Sequence, residues 1–357
     1  MATLFAKIAE DAARRLVLPE GRGPRDELAR YKDFLRYEAA RLKTLHRAGA
    51  GGREICQARA VVVDVLLRHL LEAGTTRMPA PKSEAAVPRF ALVALGGYGR
   101  KELNPASDVD LLFLHNLEGG AVASGKVHPW LASLTESLLY TLWDVGLKVG
   151  HAVRSVDDCV SMANQDMQSK TALLEARWIA GDRELFRRME SVFLARCVRG
   201  HTEQYIAARL ADQSARRAKY GGSATMQEPN IKNGCGGLRD YQNLLWMAFF
   251  KYRTRTLRDL QERDLINDGE RRQLELAYDF LLRVRNELHY EAGRAADGLA
   301  RVLQPRVAHN LGYADRSPVR RLEVFMRDLY THMRRIHLIT RTLEQRLALL
   351  PDPQRRL

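Results

Sequence analysis

One stretch limits the fold of this chain more than any other: "RFALVALGGYGRKELNPASDVDLLFLH", Arg89 to His115. The apolar run Phe90 to Leu95, bounded by Arg89 and Gly96, reads as a buried strand. A second apolar run starts at Val109 and is led by two acids, Asp108 and Asp110. Side chains alternate faces along a strand, so these two carboxylates point the same way, about 6.5 Å apart along the chain. Val109, Leu111 and Phe113 take the other face, while Leu112 and Leu114 continue the acid face into a core. Like charges this close repel, and a divalent cation removes that cost. Magnesium in particular is held by one or two carboxylates plus substrate phosphates. The competing reading of a bare Asp-x-Asp is a bend or strand edge that leaves Asp110 in solvent.

The glycines between the strands bear on that choice. Gly96, Gly97 and Gly99 directly follow the first strand, where backbone N–H groups can meet phosphates without interference from a Cβ. Their spacing fits neither the dinucleotide-binding nor the P-loop pattern. Further on, "HPWLASLTESLLYTLWDVG" carries Leu131, Leu134, Leu138 and Leu142 as one helical stripe ended by Gly146, and "LKVGHAVRSV" reads as a third strand. The order is therefore strand, loop, strand, helix, strand.

Helices are predicted on both sides of this segment: 28–48 and 53–73 before it, then 238–252, 269–292 and 318–349 after it. "GTTRMPAPKSEAAVP", with Gly74, Pro79, Pro81 and Pro88, reads as a linker or long loop. From Thr171 the pattern is helical until Gly221 and Gly222 break it. A second glycine-rich stretch, "ATMQEPNIKNGCGGLRD", follows. The predicted domains are an N-terminal helical region (1–85), a mixed domain (86–237) and a helical domain (238–350).

The chain has 357 residues and a formal net charge of +14, which favours a polyanionic partner without choosing among nucleotide, nucleic acid and acidic protein. Cys56, Cys159, Cys197 and Cys235 form no Cys-x-x-Cys pair and no zinc spacing, so free thiols in a reducing compartment are expected. No secretory leader and no long uncharged apolar run is present, which predicts a soluble cytoplasmic protein with no membrane contact.

Taken together, strand, Gly-Gly, loop and strand with Asp-x-Asp resemble the nucleotidyltransferase superfamily shared by DNA polymerase beta and the kanamycin nucleotidyltransferases. The likeness is closer to one branch. "GGYGRKELNPASDVDLLFL" resembles the GGYGRGELxPxSDxDLL motif of the bacterial PII uridylyltransferase/uridylyl-removing enzymes, with Lys101 in place of a usual glycine. "EPNIKNGCGGLRDYQNLLWMA" and "RVRNELHYEAGRAADGL" resemble that family's EPxIKxGxGGLRDIQ and RxxNxLHxxxGRxxDxL segments, and "LWDVGLKVGHAVRSVDDC" also fits. The resemblance implies an α+β fold, a polymerase-beta-like domain with a small mixed sheet flanked by N-terminal helices and a C-terminal helical domain. It implies transfer of UMP from UTP to a tyrosine hydroxyl of the nitrogen-regulatory protein PII, with release of pyrophosphate and with magnesium or manganese as cofactor. It makes Asp108 and Asp110 the metal-binding acids, and Gly96, Gly97, Gly99 and Ser107 the residues around the nucleotide phosphates. Full-length members continue into an HD hydrolase domain and glutamine-sensing domains. This sequence has no His-Asp dipeptide, so transfer without removal of UMP is the expectation.

Members of the superfamily complete the site with a third carboxylate. Asp144 falls near a helix end, Asp157 and Asp158 read as the cap of the next helix, and strand 147–154 has no acid. Glu228, just before Pro229, is the favoured third acid, as metal ligand or as base for the acceptor hydroxyl. Arg100, Lys232 and Arg239 are candidates for contact with triphosphate or leaving pyrophosphate, against a solvated face as the alternative. "KNGCGGLRD" reads either as an active-site loop or as a structural turn opening a helix, and Cys235 as a small filler. Arg283 to His289 fits an Arg-Asn-x4-His ribonuclease pattern only loosely, and helix packing is the better account. An RNA-tailing enzyme is a further alternative, but no aromatic RNA platform is present and nucleic acid is not the expected partner. An inactive nucleotide-binding regulator is the third.

Overall fold

The computed structural model describes residues 2–78, 87–117 and 128–349. The apolar run after Arg89 forms β1 (Phe90–Ala94), with every residue buried. β2 (Val109–His115) has Asp110 as its one exposed position. Both strands sit in a mixed sheet of order β3-β2-β1-β4, with β3 (Val149–Ser155) and β4 (Arg177–Gly181) at the edges. β1 runs antiparallel to β2 and β4, and β2 runs parallel to β3. The three predicted strands thus form a small mixed sheet among helices, the expected α+β architecture. No helix among the described residues is long and apolar enough to cross a membrane.

The helical expectation for the stretch after Thr171 fails at β4. "RWIAG" is too short to show a period of its own. It becomes a strand by pairing with the edge of β1, with Ala91 opposite Gly181 and Ala94 opposite Arg177. Tertiary pairing here overrides local pattern. Gly181 has φ +81, and a Cβ there would crowd the Phe90 carbonyl oxygen at 2.5 Å.

Contacts divide the chain into two units. The first comprises Met1–Leu42, Cys56–Leu103 and Ser107–Cys197, and the second Lys43–Ile55, Asn104–Ala106 and Val198–Leu357. With the sheet, the first unit takes in α1 (Ala2–Arg15) and most of α2 (Leu28–Arg47) and α3 (Gly52–Arg77). It also holds the single turn α4 (Gly96–Gly99), α5 (Pro129–Asp144), α6 (Val156–Gln165), α7 (Met167–Leu174) and α8 (Arg183–Phe193). Leu131, Leu134, Leu138 and Leu142 of α5 are all buried, as their spacing requires. Of the proline-rich linker, residues 79–86 lie outside those described.

The second unit is helical: α9 (Thr202–Tyr220), α10 (Leu238–Tyr252), α11 (Leu257–Glu262), α12 (Asp268–Ala292), α13 (Gln304–Asn310) and α14 (Pro318–Leu349). α9 ends where predicted, at Gly221 with φ +92. Between α10 and α14 lies a buried polar cluster. Glu344 accepts from Gln213 Nε2 at 3.0 Å and from Asn243 Nδ2 at 3.4 Å. Burial, then the charge of Asp240, pushes its carboxyl up to about 7.

That shift carries a sign. An ordinary glutamate releases its proton near pH ~4.3. In the folded chain Glu344 still holds the proton where the unfolded chain has lost it, so stability falls as pH rises from the unfolded value to about 7. Glu344→Gln keeps the shape and removes the ionisation. Relative to the parent, it is expected to gain stability at pH 8 and to match it near pH 4. Urea midpoints at the two pH values check this, and an equal change at both would refute it.

Candidate active site

Four residues, Gly96 to Gly99, connect β1 to the loop that reaches Asp108. Leu95 N donates to Asp110 O at 2.9 Å, so the start of the turn is tied to β2 itself. Gly99 N and Arg100 N close the turn onto Leu95 O (2.9 Å) and Gly96 O (3.0 Å). The first N–H groups of such a turn have no partner within it. Lys101 follows with φ +60, a left-handed conformation that suits glycine better than lysine. This gives a physical reason for the glycine that the family motif carries there.

The three glycines are not equivalent. Gly96 has φ +55, and a Cβ on it would sit 3.4 Å from Asp110 Oδ2. A Cβ on Gly97 would stand 3.4 Å from Glu102 O and 3.7 Å from Arg100 Nη2. Gly99 is buried, and a Cβ there would overlap the carbonyl oxygen of Glu175. Gly99 therefore serves close packing, while Gly96 and Gly97 border the open side.

Asp110 is bracketed. In the β2–β3 register it faces Gly150, where a Cβ would lie 2.6 Å from Asp110 Oδ1. Glycine on both flanks leaves that exposed carboxylate room that side chains would fill. Asp108 is also exposed and immediately precedes β2, with Ser107 half-buried beside it. A glycine inside a strand can mark a close approach, and the parallel register shows what Gly150 approaches. Two carboxylates at the head of a strand, with glycine around one of them, fit a cation that keeps substrate oxygens among its ligands. Among the described residues no group of three His, Cys, Asp or Glu side chains forms a metal cage by itself.

Other candidates fall elsewhere in the fold. Arg100 donates from Nε to Glu102 at 2.8 Å and pairs through Nη1 with Glu175. Asp158 closes a capping box with Ser155, which is the cap of α6, while Asp157 takes no part in the box and pairs with Arg196 at 2.7 Å. Asp144 is the last residue of α5. Glu228, Lys232 and Arg239 belong to the second unit. Glu228 is exposed, and its Oε1 accepts from Arg301 N at 2.7 Å. Lys232 Nζ lies 3.9 Å from Asp297 Oδ2, and the Arg239 guanidinium stands 5.1 Å over the Trp246 ring.

The second glycine-rich stretch folds as a tight turn into α10. Asn230 accepts from Asn233 N at 2.7 Å, Gly236 N donates to Asp240 at 2.8 Å, and a Cβ on Gly236 would overlap the Met333 carbonyl. Cys235 is buried, which pushes its thiol up and suits a filler. The motif on α12 packs in the same unit. Arg285 donates to Asp297 at 2.7 Å and to Asn104, and His289 accepts from Ala106 N at 3.2 Å. Arg283 turns instead to Leu311 O at 3.1 Å. Arg283 and His289 thus go to separate partners, as helix packing requires.

Residues 204–344 match the family described as GlnD PII-uridylyltransferase, and residues 29–144 match glutamate-ammonia ligase adenylyltransferase. Curated relatives include bifunctional uridylyltransferase/uridylyl-removing enzymes of Erythrobacter litoralis (37% identical over 291 residues) and Cereibacter sphaeroides (38% over 289). A third, from Bradyrhizobium, is 37% identical over 303 residues. These alignments take in 82%, 81% and 85% of this chain but only 31%, 30% and 31% of the relatives. The chain therefore spans about a third of the length of the curated relatives it matches.

The unequal glycines give a test that needs no assay of function. Gly99→Ala forces overlap with a backbone carbonyl and is expected to cost about 1–3 kcal/mol of stability. Gly97→Ala meets ordinary contacts and should stay within about 0.5 kcal/mol of the parent. Denaturant midpoints for the two variants check the contrast, and equal losses would contradict it.

Proposed function

We propose that this chain, a member of the GlnD-like uridylyltransferase family, transfers UMP from UTP to a tyrosine hydroxyl of the signal protein PII and releases pyrophosphate. The observation that carries the reading is Asp110. Its exposed carboxylate heads an otherwise buried strand and has Gly96 and Gly150 on its two sides. A packing account of β2 would place an apolar residue there.

In the reaction, the acceptor oxygen forms a bond to the α-phosphorus as the bond to the β-phosphate oxygen breaks, and pyrophosphate leaves. Asp108 and Asp110 would hold magnesium or manganese, which supplies positive charge to the phosphate oxygens. The residues of the chain orient the rest. Gly96 and Gly97 leave the phosphates room to approach the backbone, and Ser107 stands beside Asp108. Glu228 is the acid proposed to complete the carboxylate set or to take the hydroxyl proton, since a free tyrosine has a pKa near ~10 and needs a base at neutral pH. Arg100, Lys232 and Arg239 are proposed to meet the triphosphate, each by exchanging its present partner for phosphate oxygen. A cytoplasmic enzyme of nitrogen regulation follows from the same reading.

A second reading has its own support. Residues 29–144, which include β1, α4 and β2, match an adenylyltransferase family. Transfer of AMP from ATP would use the same carboxylates, so the base of the nucleotide is decided by competition between UTP and ATP.

The experiment is incorporation of labelled UMP into PII with magnesium. Asp110→Asn should keep its circular dichroism and lose transfer by a factor on the order of 1000 or more, since interactions that stabilise developing charge are of that size. Near-parental transfer by this variant would sink the proposed site. Glu228→Gln should cut turnover strongly and bind UTP nearly as the parent does. A fully active Glu228→Gln would pass its role to another acid.

A further inference from the structure

A cluster in the first unit grips the carbonyl end of the glycine turn, and its key members lie far from the turn in sequence. Asp64 is a lone acid in the apolar run "VVVDVLL" of α3 and is 4% exposed. Arg177 opens β4. Arg177 Nη1 and Nη2 donate to Asp64 Oδ2 and Oδ1 at 2.8 and 2.9 Å, a two-pronged fork. The same guanidinium donates to both carbonyls at the end of the turn, from Nη2 to Tyr98 O and from Nε to Gly99 O, each at 3.2 Å. Tyr98 completes the cluster by donating its hydroxyl to Asp64 Oδ1 at 2.6 Å, and the guanidinium lies 5.2 Å over its ring.

We propose that Arg177, held by Asp64, is a positioning residue for nucleotide binding: it fixes the Gly96–Gly99 turn against the Asp110 carboxylate. The inference rests on the reading that this turn meets the phosphates. A peptide plane is rigid, so holding its carbonyl fixes the N–H on its other side. Arg177 holds the Tyr98 and Gly99 carbonyls, and the N–H groups of those planes close the turn onto Leu95 O and Gly96 O. The carbonyl-end anchor therefore sets where Gly96 and Gly97 stand. Gly96 in turn leaves only 3.4 Å between its missing Cβ and Asp110 Oδ2, so a small shift of the turn closes or opens the phosphate side. Sites whose donors are fixed before the ligand arrives lose less on binding.

The purified chain tests this with magnesium and UTP in a calorimetric titration without acceptor. Transfer kinetics to PII run in parallel. Arg177→Lys keeps the charge but cannot reach Asp64 and two carbonyls at once, and Asp64→Asn keeps the shape but loses the charge that holds the fork. Both are expected to weaken UTP binding about tenfold, raise the KM for UTP in step and leave kcat at saturating UTP within about threefold. Asp64→Glu should recover part of the loss. A purely structural role would lower the melting temperature and leave the Kd of the folded protein unchanged, and that result overturns the inference. The two readings separate cleanly. A parent chain that binds UTP but transfers nothing defeats the proposed reaction, and the binding arms still decide the role of Arg177. A parent chain that binds no UTP defeats both.

Discussion

The Gly96–Gly99 turn of the first unit is held by one half-buried guanidinium. Arg177 is 18% exposed at its side chain and Asp64 6%, so their charges have left most of their water behind. Such a pair gains little net stability over an apolar substitute, but removing one partner strands the other charge at a cost of about 3–5 kcal/mol. The pair therefore works as a constraint more than as glue. It requires α3, the glycine turn and β4 to be in place together, because Arg177, on β4, spends its donors on α3 and on the turn. Glu175, two residues before it, adds a second hold. Its carbonyl packs against Gly99 and its carboxylate pairs with Arg100. "EAR" at 175–177 is thus a cradle for a turn more than seventy residues earlier in the sequence.

This explains what the sequence reveals and what it hides. β1, β2 and the leucine stripe of α5 are legible because their signals are local: an unbroken apolar run, a run led by acids, a helical spacing. The start of α6 at Asp158 is legible for the same reason, since its capping box is closed within four residues, although the cap itself is Ser155. β4 is hidden because its strand character comes from pairing with β1, and "RWIAG" alone carries no period. Asp64 is half-legible. An acid inside "VVVDVLL" announces a buried partner, but nothing local says the partner is Arg177.

The glycines show the same division. All three in "GGYG" look like room for phosphate when read in line. Only the packing of Glu175 behind Gly99 separates that position from Gly96 and Gly97. Gly150 is the reverse case. It reads as one more strand residue until the parallel register sets it opposite Asp110. In "KNGCGGLRD" the close backbone contacts of Gly236 and Gly237 account for glycine there without any ligand. Glycine density by itself therefore does not identify a phosphate loop.

Charge closes the argument. The chain carries +14, and exposed arginines at 320, 327, 334 and 341 recur down one side of α14. Such charge steers polyanions, and salt screens it beyond about 8–10 Å. Each like-charge pair at about 4 Å opposes binding by roughly 4 kcal/mol at an effective dielectric of ~20. The nearest arginine of the turn, Arg100, already serves Glu102 and Glu175. On the proposed reading, a divalent cation on Asp108 and Asp110 would offset this repulsion and share its ligands with phosphate oxygen, and glycine on both flanks of Asp110 keeps the space it would need.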